Sequence, residues 1–458
     1  MTFLVLLAML AAAFLFRKSK AVQSLCISAA CIVSGVLLYQ HQKAQLEVEW
    51  PEAEGNYALI VASEPVQRGK TLSMDALLAM TGQKIQLRIM HDERSELLSI
   101  GDGLMVFSAI KPLSAQGSYR TWQETHGYVG ETFVWHNRWQ RESISLQDIG
   151  IAAKTRLFFM QQRHKLLKQI HANIKEHDDY SILAAMTLGD KSAVSREQKE
   201  QFSVAGTSHL LALSGLHLGI IYMLLSFLFR SRRWQLVNQL LIITSIWSFV
   251  LLVGMPLSVV RAAVMITVYV FVSLLNRSKT PINTLALAAI IILIANPYAL
   301  FDIGFQLSFA AVLSILLFTP LMTMWKAGNG LLRYLIAPTY VSIAAQIGTA
   351  PLVAYYFGRF SVWFLLANYL SIPLATLILY TMLLTLLLSF WPAAQALIIV
   401  VPATLASWLN GWTSWVASLP LASIDGLHPS VLQVIMIYVI IGGCYWLLRY
   451  QRKKQVSI

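Results

Sequence analysis

Apolar residues in this chain form long unbroken runs near both ends, and a stretch of alternating apolar and polar residues separates them. An α-helix needs about 20 apolar residues to cross the hydrocarbon core of a bilayer. The segment 207–458 is apolar nearly throughout, and its pattern predicts a bundle of nine membrane-crossing helices. Their predicted positions are residues 207–229, 234–253, 256–275, 281–295, 303–320, 334–357, 361–390, 393–418 and 430–449.

Two more apolar runs, residues 3–16 and 21–39, lie near the N-terminus, and a basic cluster at residues 17–20 separates them. A cleaved signal peptide carries its basic residues before the apolar run rather than after it. This order therefore predicts two retained helices within residues 1–44. The fold class is then a mainly α-helical polytopic membrane protein with about eleven transmembrane helices.

Residues 45–150 have a different pattern, in which short apolar and polar positions alternate. Segments such as YALIVASEP and KIQLRIM have the composition of β-strands, and Gly, Pro and Asp turns bound them. About a hundred residues is a normal domain size. The pattern predicts a small all-β domain, inserted after the first two helices and shaped as a compact barrel.

Residues 151–206 are predicted to connect this domain to the bundle through a basic helix and a short amphipathic helix. One face of the basic helix is predicted to carry Leu157, Met160, His164, Leu167 and Ile170. This helix is either a solvated connector or a surface that meets an anionic membrane or a nucleic acid. Ser195 and Gln198 have the spacing of a capping box, which predicts a second helix that ends at Gly206.

Composition and loop charge refine this picture. Only 12% of the residues are charged and 57% are apolar, whereas soluble domains carry about 25% charged residues. Cytoplasmic loops of membrane proteins are enriched in Lys and Arg. If residues 17–20 face the cytoplasm, Arg359 is the single basic residue in the short loops of the opposite side, against fourteen on the cytoplasmic side. The fourteen are Arg17, Lys18, Lys20, Arg230, Arg232, Arg233, Arg277, Lys279, Lys326, Arg333, Arg449, Arg452, Lys453 and Lys454.

The charges of the bundle bear on its cargo. Residues 207–458 contain thirteen Lys or Arg, no Glu, and only the two acids Asp302 and Asp425. Pumps and cation-coupled carriers usually keep acidic residues inside the bundle. Arg261 is the one basic residue well inside a predicted span. The pattern favours an anionic cargo, unless the basic excess only sets the topology.

The segment HLLALSGLHLG places polar groups inside a predicted span, where an unsatisfied polar group costs several kcal/mol. On a continuous helix, His209, Ser214 and His217 fall within a sector of about 140°. Gly215 and Gly219 form a pair of small residues that lets another helix pack closely. The pattern predicts that this polar face lies against protein or water.

The longer segment GTSHLLALSGLHLG (206–219) resembles the signature of the ComEC family, the inner-membrane DNA-uptake channels of natural competence. Other segments resemble further family motifs in the same order. They are GSYRTWQETHGY (117–128), LAAMTLGDKS (183–192), PLSVVRAAVM (256–265), FDIGFQLSFAAV (301–312) and FGRFSVWFLLANYLSIPL (357–374). The resemblance covers almost the whole chain.

This resemblance implies an extracytoplasmic OB-like domain and a helical bundle in the bacterial inner membrane. It implies that single-stranded DNA enters the cytoplasm through the protein, and that the OB-like domain receives the strand. The expected partners are inner-membrane lipids, a periplasmic DNA receptor and a cytoplasmic helicase-type motor, since the sequence contains no P-loop. No cofactor is expected.

One family feature is missing from this sequence. Many members continue into a metallo-β-lactamase-like domain with a His/Asp metal cluster, but none of the ten histidines here forms an H-x-H-x-D-H pattern. We therefore expect neither an enzyme nor a metal site in this chain, which is either a short member or a fragment. A separate nuclease is then an expected partner.

Several polar residues are candidates for lining the DNA path: His209, Ser214, His217, Arg261, Gln306, Ser308 and Asn368. Each has a structural alternative, because buried polar residues also join membrane helices; for Arg261 it is an ion pair with Asp302. Pro373 is expected to break its helix and to shape helix packing. Three tryptophans either stack on DNA bases or lie in the barrel core or at the lipid interface: Trp122, Trp135 and Trp139.

Two other functions stay open at this point. The first is a carrier or flippase for another anionic molecule, such as a lipid-linked or phosphorylated metabolite. The second is an intramembrane hydrolase with Ser214 as nucleophile and His217 as base. The second is disfavoured because no acidic residue that could orient the histidine lies nearby in the sequence.

Overall fold

The computed structural model describes residues 9, 11–15, 19–113, 117–144, 150–229, 231–274, 280–322 and 330–456. The chain forms two compact units. Unit 1 comprises Met1–Phe158 and Ala288–Asp302, and unit 2 comprises Phe159–Leu287 and Ile303–Ile458. Most of the predicted first helix lies outside the described residues. The same holds for six of the basic loop residues: Arg17, Lys18, Arg230, Arg277, Lys279 and Lys326.

Unit 1 contains one long helix, a β domain and a short helical segment. Its elements are α1 (Lys20–Leu46), β1 (Gly55–Val61), β2 (Val66–Arg68), β3 (Thr71–Leu78), β4 (Lys84–Met90), β5 (Gly103–Ser108), α2 (Ser118–Thr125), β6 (Tyr128–Val134) and β7 (Trp139–Arg141). Strands are therefore the main regular structure of the predicted all-β region. The short helix α2 within it was not predicted.

The strands of unit 1 form one sheet with the order β6-β4-β3-β1-β5-β7, and β2 pairs with β3 at the side. All pairs in it are antiparallel except β4 with β6, which run parallel. Lys111, just after β5, forms a bridge to Glu131 of β6. The bridge brings the segment after β5 next to the edge strand β6, so the sheet curves back toward itself.

Tyr298 links a distant part of the sequence to this β domain. It lies in a short 3-10 helix, Pro297–Phe301, that Asn296 caps through its side chain. Tyr298 is 1% exposed and packs into the core of the β domain, with its ring centroid 4.9 Å from that of Tyr39. Asn296 also donates to the Thr125 carbonyl at 3.0 Å. These contacts explain why residues 288–302 belong to unit 1.

Unit 2 is helical. Its elements are α4 (His177–Leu183), α5 (Arg196–Val204), α6 (Gly215–Leu228), α7 (Gln235–Leu252), α8 (Leu257–Leu274), α10 (Ile303–Met322), α11 (Gly330–Phe357), β8 (Arg359–Ser361), α12 (Phe364–Leu387), α13 (Pro392–Ile398), α14 (Val400–Ala417), β9 (Ser423–Asp425) and α15 (Val431–Val456). Two helices belong to both units: α3 (Ile151–Asn173) and α9 (Pro281–Ala295). A π-helical turn, Ala184–Leu188, follows α4.

Eight helical segments in the described residues are long and apolar enough to cross a membrane, and α6 and α9 are shorter apolar helices. The predicted spans agree closely with these helices in position; α7, for example, covers residues 235–252 against a predicted 234–253. Mainly helical architecture with a small β domain is therefore confirmed for this polytopic membrane protein. One detail was wrong: α12 continues through Pro373 without a break.

The helices between the β domain and the bundle differ from the prediction at one position. On α3, the buried face carries Arg163 rather than the predicted His164, which is half-buried. On α5, the predicted capping box is confirmed, because Ser195 and Gln198 exchange both hydrogen bonds. The helix ends at Val204, and Gly206 follows in the left-handed region with φ of 81°.

Candidate functional site

The polar segment between Gly206 and Gly215 is a buried turn and not a helix. Gly206 adopts a φ of 81°, which an L-residue rarely adopts, and this conformation turns the chain away from α5. The Thr207 backbone N–H then donates to the Phe202 carbonyl at 2.8 Å. Leu210, which fits a membrane span by sequence, is instead fully buried in the protein core of unit 2.

This geometry corrects the predicted helix over residues 207–229. Helix α6 begins only at Gly215, with Ser214 in extended conformation as its N-cap, so neither Thr207 nor Ser208 caps it. His209 therefore does not share a helical face with Ser214 and His217. The predicted polar face of one helix does not exist. His209 lies in the turn, whereas Ser214 and His217 lie at the start of α6.

Ser214 and His217 form a capping box at the start of α6. The Ser214 side chain accepts the His217 backbone N–H, and the Ser214 backbone N–H donates to His217 Nδ1 at 3.3 Å. Ser214 Oγ is 2.9 Å from the same nitrogen. Because Nδ1 accepts a backbone N–H, the hydrogen of the neutral ring lies on Nε2. Nε2 is buried and has no hydrogen-bond partner among the described residues.

His209 lies before this box and near it. Its side chain is exposed, in contrast to His217, which is 1% exposed. The His209 ring hydrogen-bonds the Gly206 carbonyl, and it is close enough to His217 for a charge on one ring to act on the other. The structure thus brings the two histidines into one neighbourhood by folding the turn.

Helix α8 packs its first turns against the same segment. Ser258 Oγ donates to the Leu213 carbonyl at 2.6 Å, and a Cβ at Gly215 would lie 3.6 Å from the Ala262 Cβ. Arg261 lies one turn after Ser258 and is 6% exposed. It therefore lies in the part of α8 that packs on the turn, and its predicted role in lining the path stays a prediction.

Helix α12 supplies a polar residue that the sequence analysis missed. Ser371 is fully buried, and its Oγ has no partner among the described residues; the same holds for Oδ1 of Asn368, one turn earlier. Leu374 and Ala375 of this helix share one core cluster with Leu210 of the turn. No pattern in the sequence distinguishes Ser371, because a serine in a membrane helix is common and only its surroundings give it meaning.

The arrangement offers hydrogen bonds and positive charge. His217 Nε2–H lies at the start of α6 and the Arg261 guanidinium on α8. Asn368 and Ser371 add an amide and a hydroxyl on α12, the helix whose Leu374 and Ala375 pack in one core cluster with Leu210. A buried polar atom without a partner, such as His217 Nε2, is costly unless something satisfies it. Groups of this kind can donate hydrogen bonds to a polar or anionic ligand.

A model of the competence protein family matches residues 186–451, which is more than half of the chain. The chain belongs to this family. The match contains the whole turn, both histidines, Arg261 and the polar residues of α12. The resemblance to the ComEC family is thereby confirmed.

The chain is also similar to several individual proteins. ComE operon protein 3 of Bacillus subtilis (strain 168) is 29% identical over 309 residues, which cover 67% of this chain and 39% of that protein. Uncharacterized protein MG316 of Mycoplasma genitalium is 30% identical over 171 residues, 36% of this chain and 41% of that protein. Uncharacterized protein YcaI of Escherichia coli (strain K12) is 24% identical over 226 residues, 47% of this chain and 30% of that protein. This chain thus spans less than half of each relative, and no solved structure matches it.

Two predicted path residues of this competence protein lie on α10, which packs mainly against α11. Gln306 accepts a hydrogen bond from the Tyr356 hydroxyl of α11 at 2.7 Å. Ser308 is half-buried on the same helix. The Gln306 contact joins two helices, which is the structural role expected of a buried polar residue that does not line the path.

The predicted helix-packing residues Gly215, Gly219 and Pro373 differ in their surroundings. Gly215 faces Ala262 at ordinary contact distance, but a Cβ at Gly219 would meet nothing within 4 Å, and Pro373 is exposed. The sequence did not single out the glycine with the least room among the glycines of the described helices. It is Gly348 of α11, where a Cβ would be 2.5 Å from the Ala310 carbonyl oxygen.

The three tryptophans of the β domain differ in exposure. Trp139 is 5% exposed and lies in the domain core, so its predicted stacking on DNA is wrong. Trp135 is 50% exposed and meets Phe133 edge to face at 5.1 Å. Trp122 on α2 is 39% exposed and stacks 5.8 Å from Tyr119 and 5.2 Å from Tyr128. Only Trp122 and Trp135 stay candidates for base stacking.

Arg359, the exception to the loop-charge rule, has a structural role. It pairs with Glu200 of α5 at 2.7 Å and with Asp425 of β9, and it donates to Ser203 Oγ at 3.0 Å. Its neighbour Ser361 donates to the Ser203 carbonyl at 3.2 Å. These bonds join the end of α5, directly before the turn, to the two-stranded sheet that β8 and β9 form.

Proposed function

We propose that this protein conducts single-stranded DNA across the bacterial inner membrane into the cytoplasm during natural transformation. Membership in the competence family supports a role in DNA uptake. The observation that carries the proposal is the turn at residues 206–217, with the buried His217 in it and the buried Arg261 on the adjacent helix α8. The helical segment 207–456 has only two acids, and one of them, Asp425, pairs with Arg359.

Sparse positive charge is physically appropriate for conduction. A pore must bind its cargo strongly enough for entry and weakly enough for release. A strand of phosphodiesters would be held too firmly by many cations, because each phosphate contact releases counterions and adds affinity. One guanidinium, neutral imidazole and neutral amide and hydroxyl groups offer weaker, exchangeable hydrogen bonds.

We infer that the β domain is OB-like, as the strand pairing supports. Strands β1, β3 and β4 form an antiparallel meander, β6 adds to β4 in parallel, and the Lys111–Glu131 bridge returns the sheet toward β5 and β1. A five-stranded, partly open barrel of this kind is typical of the OB-fold. OB-folds bind single strands by stacking bases on aromatic side chains.

We propose that the β domain binds the DNA strand by base stacking rather than through its phosphates, because the domain is acidic. Residues 45–150 contain fourteen Asp or Glu and nine Lys or Arg. An acidic domain repels phosphate, so a basic groove does not account for strand binding here. Stacking on Trp122 and Trp135, both exposed, would supply the contact instead. The domain then guides the strand rather than holding it tightly.

The proposed orientation places the β domain in the periplasm and the C-terminal tail in the cytoplasm. The fourteen-to-one distribution of basic residues in short loops supports it. The proposed partners are a periplasmic DNA receptor, a cytoplasmic helicase-type motor and a separate nuclease. We propose no catalytic role for this chain.

A deletion strain tests the function. Cells are given fluorescent double-stranded DNA, and the label in the periplasm, the label in the cytoplasm and the transformant number are measured. We expect periplasmic DNA to accumulate while cytoplasmic DNA and transformants fall to background, with recovery on complementation. Normal DNA entry together with an accumulated lipid-linked or phosphorylated metabolite would contradict the proposal and support the carrier or flippase.

Cysteine labelling tests the orientation. In a variant whose Cys26, Cys31 and Cys444 are replaced by serine, a single cysteine is placed at Ser99 or at Ser457. Ser457 lies outside the described residues. With the outer membrane permeabilised and the inner membrane intact, an impermeant maleimide should label position 99 only. Labelling of both positions would contradict the orientation.

A further inference from the structure

A buried arginine interrupts the apolar face of α3. Met160, Leu167 and Ile170 form the buried face of this helix, with exposures of 5%, 4% and 0%. Arg163 occupies the position between Met160 and Leu167 and is itself only 8% exposed. Helical periodicity calls for an apolar residue there. An arginine at such a position is unusual because its charge leaves water.

The arginine uses one of its five donor hydrogens on the protein backbone. Nε donates to the Leu188 carbonyl at 2.7 Å. Leu188 ends the π-helical turn, all five of whose residues are buried. π-helical turns are rare and occur frequently at functional sites. The two terminal nitrogens of Arg163 keep four donor hydrogens.

The charge of Arg163 has no carboxylate at ion-pair distance within the described part of the chain. The acid nearest to Leu188 in sequence, Asp190, accepts the Ser192 backbone N–H at 3.0 Å instead. With only 8% of its surface exposed, Arg163 has few contacts outside the protein that could compensate its charge. An anion that meets the terminal nitrogens would compensate it.

Arg163 is also connected through neighbouring residues with the turn between Gly206 and Gly215. Gly189 directly follows Leu188, and a Cβ there would be 2.8 Å from the Leu213 side chain. Leu213 precedes Ser214 and accepts the Ser258 hydroxyl through its carbonyl at 2.6 Å. On the other side, a Cβ at Gly254 would be 2.7 Å from Met160 Sδ, one turn before Arg163 on α3. Arg163 is therefore connected with the turn through Leu188 and its neighbour Gly189, which packs on Leu213. It is connected with the segment before α8 through Met160, which packs on Gly254.

We propose that Arg163 is a phosphate-binding residue of the DNA path and supplies a second buried guanidinium in addition to Arg261. This proposal rests on the proposed function. With Nε held by Leu188, the terminal nitrogens present two parallel N–H groups, which match two oxygens of a phosphate. The backbone bond fixes the direction in which they point.

The rival role is purely structural, in which Arg163 only caps the π-helical turn. Two substitutions separate the roles. Arg163→Lys keeps a cationic donor for the Leu188 carbonyl but loses the two-nitrogen fork. Arg163→Gln keeps a neutral amide donor and loses the charge. Lys168→Gln is the matched control, because Lys168 is exposed on the same helix and also loses one positive charge.

The purified full chain in zwitterionic-lipid nanodiscs allows a direct test with two probes. The first is inorganic pyrophosphate, followed by thermal unfolding. The second is a fluorescent single-stranded oligonucleotide, followed by anisotropy over a series of salt concentrations. For the wild type and Lys168→Gln we expect pyrophosphate to raise the Tm. For Arg163→Gln we expect no rise, oligonucleotide affinity about tenfold lower, and a log–log salt slope smaller by about 0.7.

If the Arg163→Gln variant fails to accumulate, Arg163→Lys distinguishes phosphate binding from the structural role. A lysine variant that folds but lacks the pyrophosphate effect supports the proposal. Pyrophosphate stabilisation and oligonucleotide binding equal to wild type in either folded variant would overturn it. If Arg163-dependent stabilisation by pyrophosphate is present but the deletion strain imports DNA normally, the anion site stands and the proposed function fails. If Arg163→Gln binds both probes normally and the protein is still required for DNA entry, the proposed function stands and the anion site fails.

Discussion

Ser214 Oγ lies 2.9 Å from His217 Nδ1, and the Ser214 backbone N–H donates to the same nitrogen at 3.3 Å. A hydroxyl and an imidazole at this distance also resemble a nucleophile and its base. In that case a third group should orient the ring through its other nitrogen. Nε2 has no such partner among the described residues. Helix capping accounts for the pair, and it leaves the Nε2–H donor free for a passing molecule.

The first prediction separates capping from a role in the path. His217→Gln should preserve the cap, because glutamine is a usual partner at this position of a capping box. His217→Ala should lower helix stability by about 1 kcal/mol. Both variants should impair DNA entry, since both remove the imidazole donor. Protein abundance is measured by immunoblot, and entry as cytoplasmic labelled DNA. Wild-type entry in the glutamine variant would make His217 a structural residue only.

The second prediction concerns the close contact between α10 and α11 at Gly348. Gly348→Ala should destabilise the protein by about 1–3 kcal/mol, because the new methyl group would overlap the Ala310 carbonyl on α10. Gly219→Ala is the matched control, since its Cβ would meet nothing within 4 Å. Gly215→Leu should also reduce abundance, because Ala262 leaves room for one methyl group only. Thermal unfolding in detergent ranks the three variants by stability. A Gly348→Ala variant as stable as Gly219→Ala would contradict the close contact between α10 and α11 at Gly348.

The same helices show how far sequence patterns can predict this fold. The spans were predictable because lipid demands about 20 apolar residues whatever the neighbouring helices are. The turn at residues 207–214 was not, because Leu210, Leu211 and Leu213 extend the apolar run although they are buried in protein. Apolar residues that face a protein core and apolar residues that face lipid look alike in a sequence.

Residues defined by their partners escaped prediction for a related reason. Arg163 looked like one more cation on a basic helix, and only the π-helical turn gives it a place in the buried face. Gly348 matters because α10 crosses it, while Gly215 and Gly219 drew attention through their spacing alone. Spacing within one helix predicts a face, but the contact on that face depends on a second element.

The third prediction distinguishes the tryptophans of the β domain. Trp139→Ala should destabilise this domain by about 3–5 kcal/mol, because it empties a core position. Trp135→Ala should leave folding intact and weaken oligonucleotide binding, since its exposed ring is offered to a base. Tryptophan fluorescence and urea unfolding report the fold, and anisotropy reports binding. Undiminished binding by a folded Trp135→Ala variant would remove this residue from the strand contact.

The fourth prediction tests Arg261, which is 6% exposed on the first turns of α8. If the guanidinium binds the phosphates of the strand, Arg261→Lys should lower DNA entry roughly tenfold at normal abundance, because a point charge cannot replace the fork. Asp302→Asn should then have little effect.

A structural ion pair between Arg261 and Asp302 gives the opposite pattern. Removing one partner of a buried pair costs about 3–5 kcal/mol, so each single change should lower abundance. The double variant Arg261→Met, Asp302→Leu should recover much of it, because replacing both charges leaves none uncompensated. Protein level and DNA entry are measured in parallel for all variants. An abundant double variant with normal DNA entry would exclude Arg261 from the path, whereas an abundant double variant without entry would place the guanidinium on the cargo.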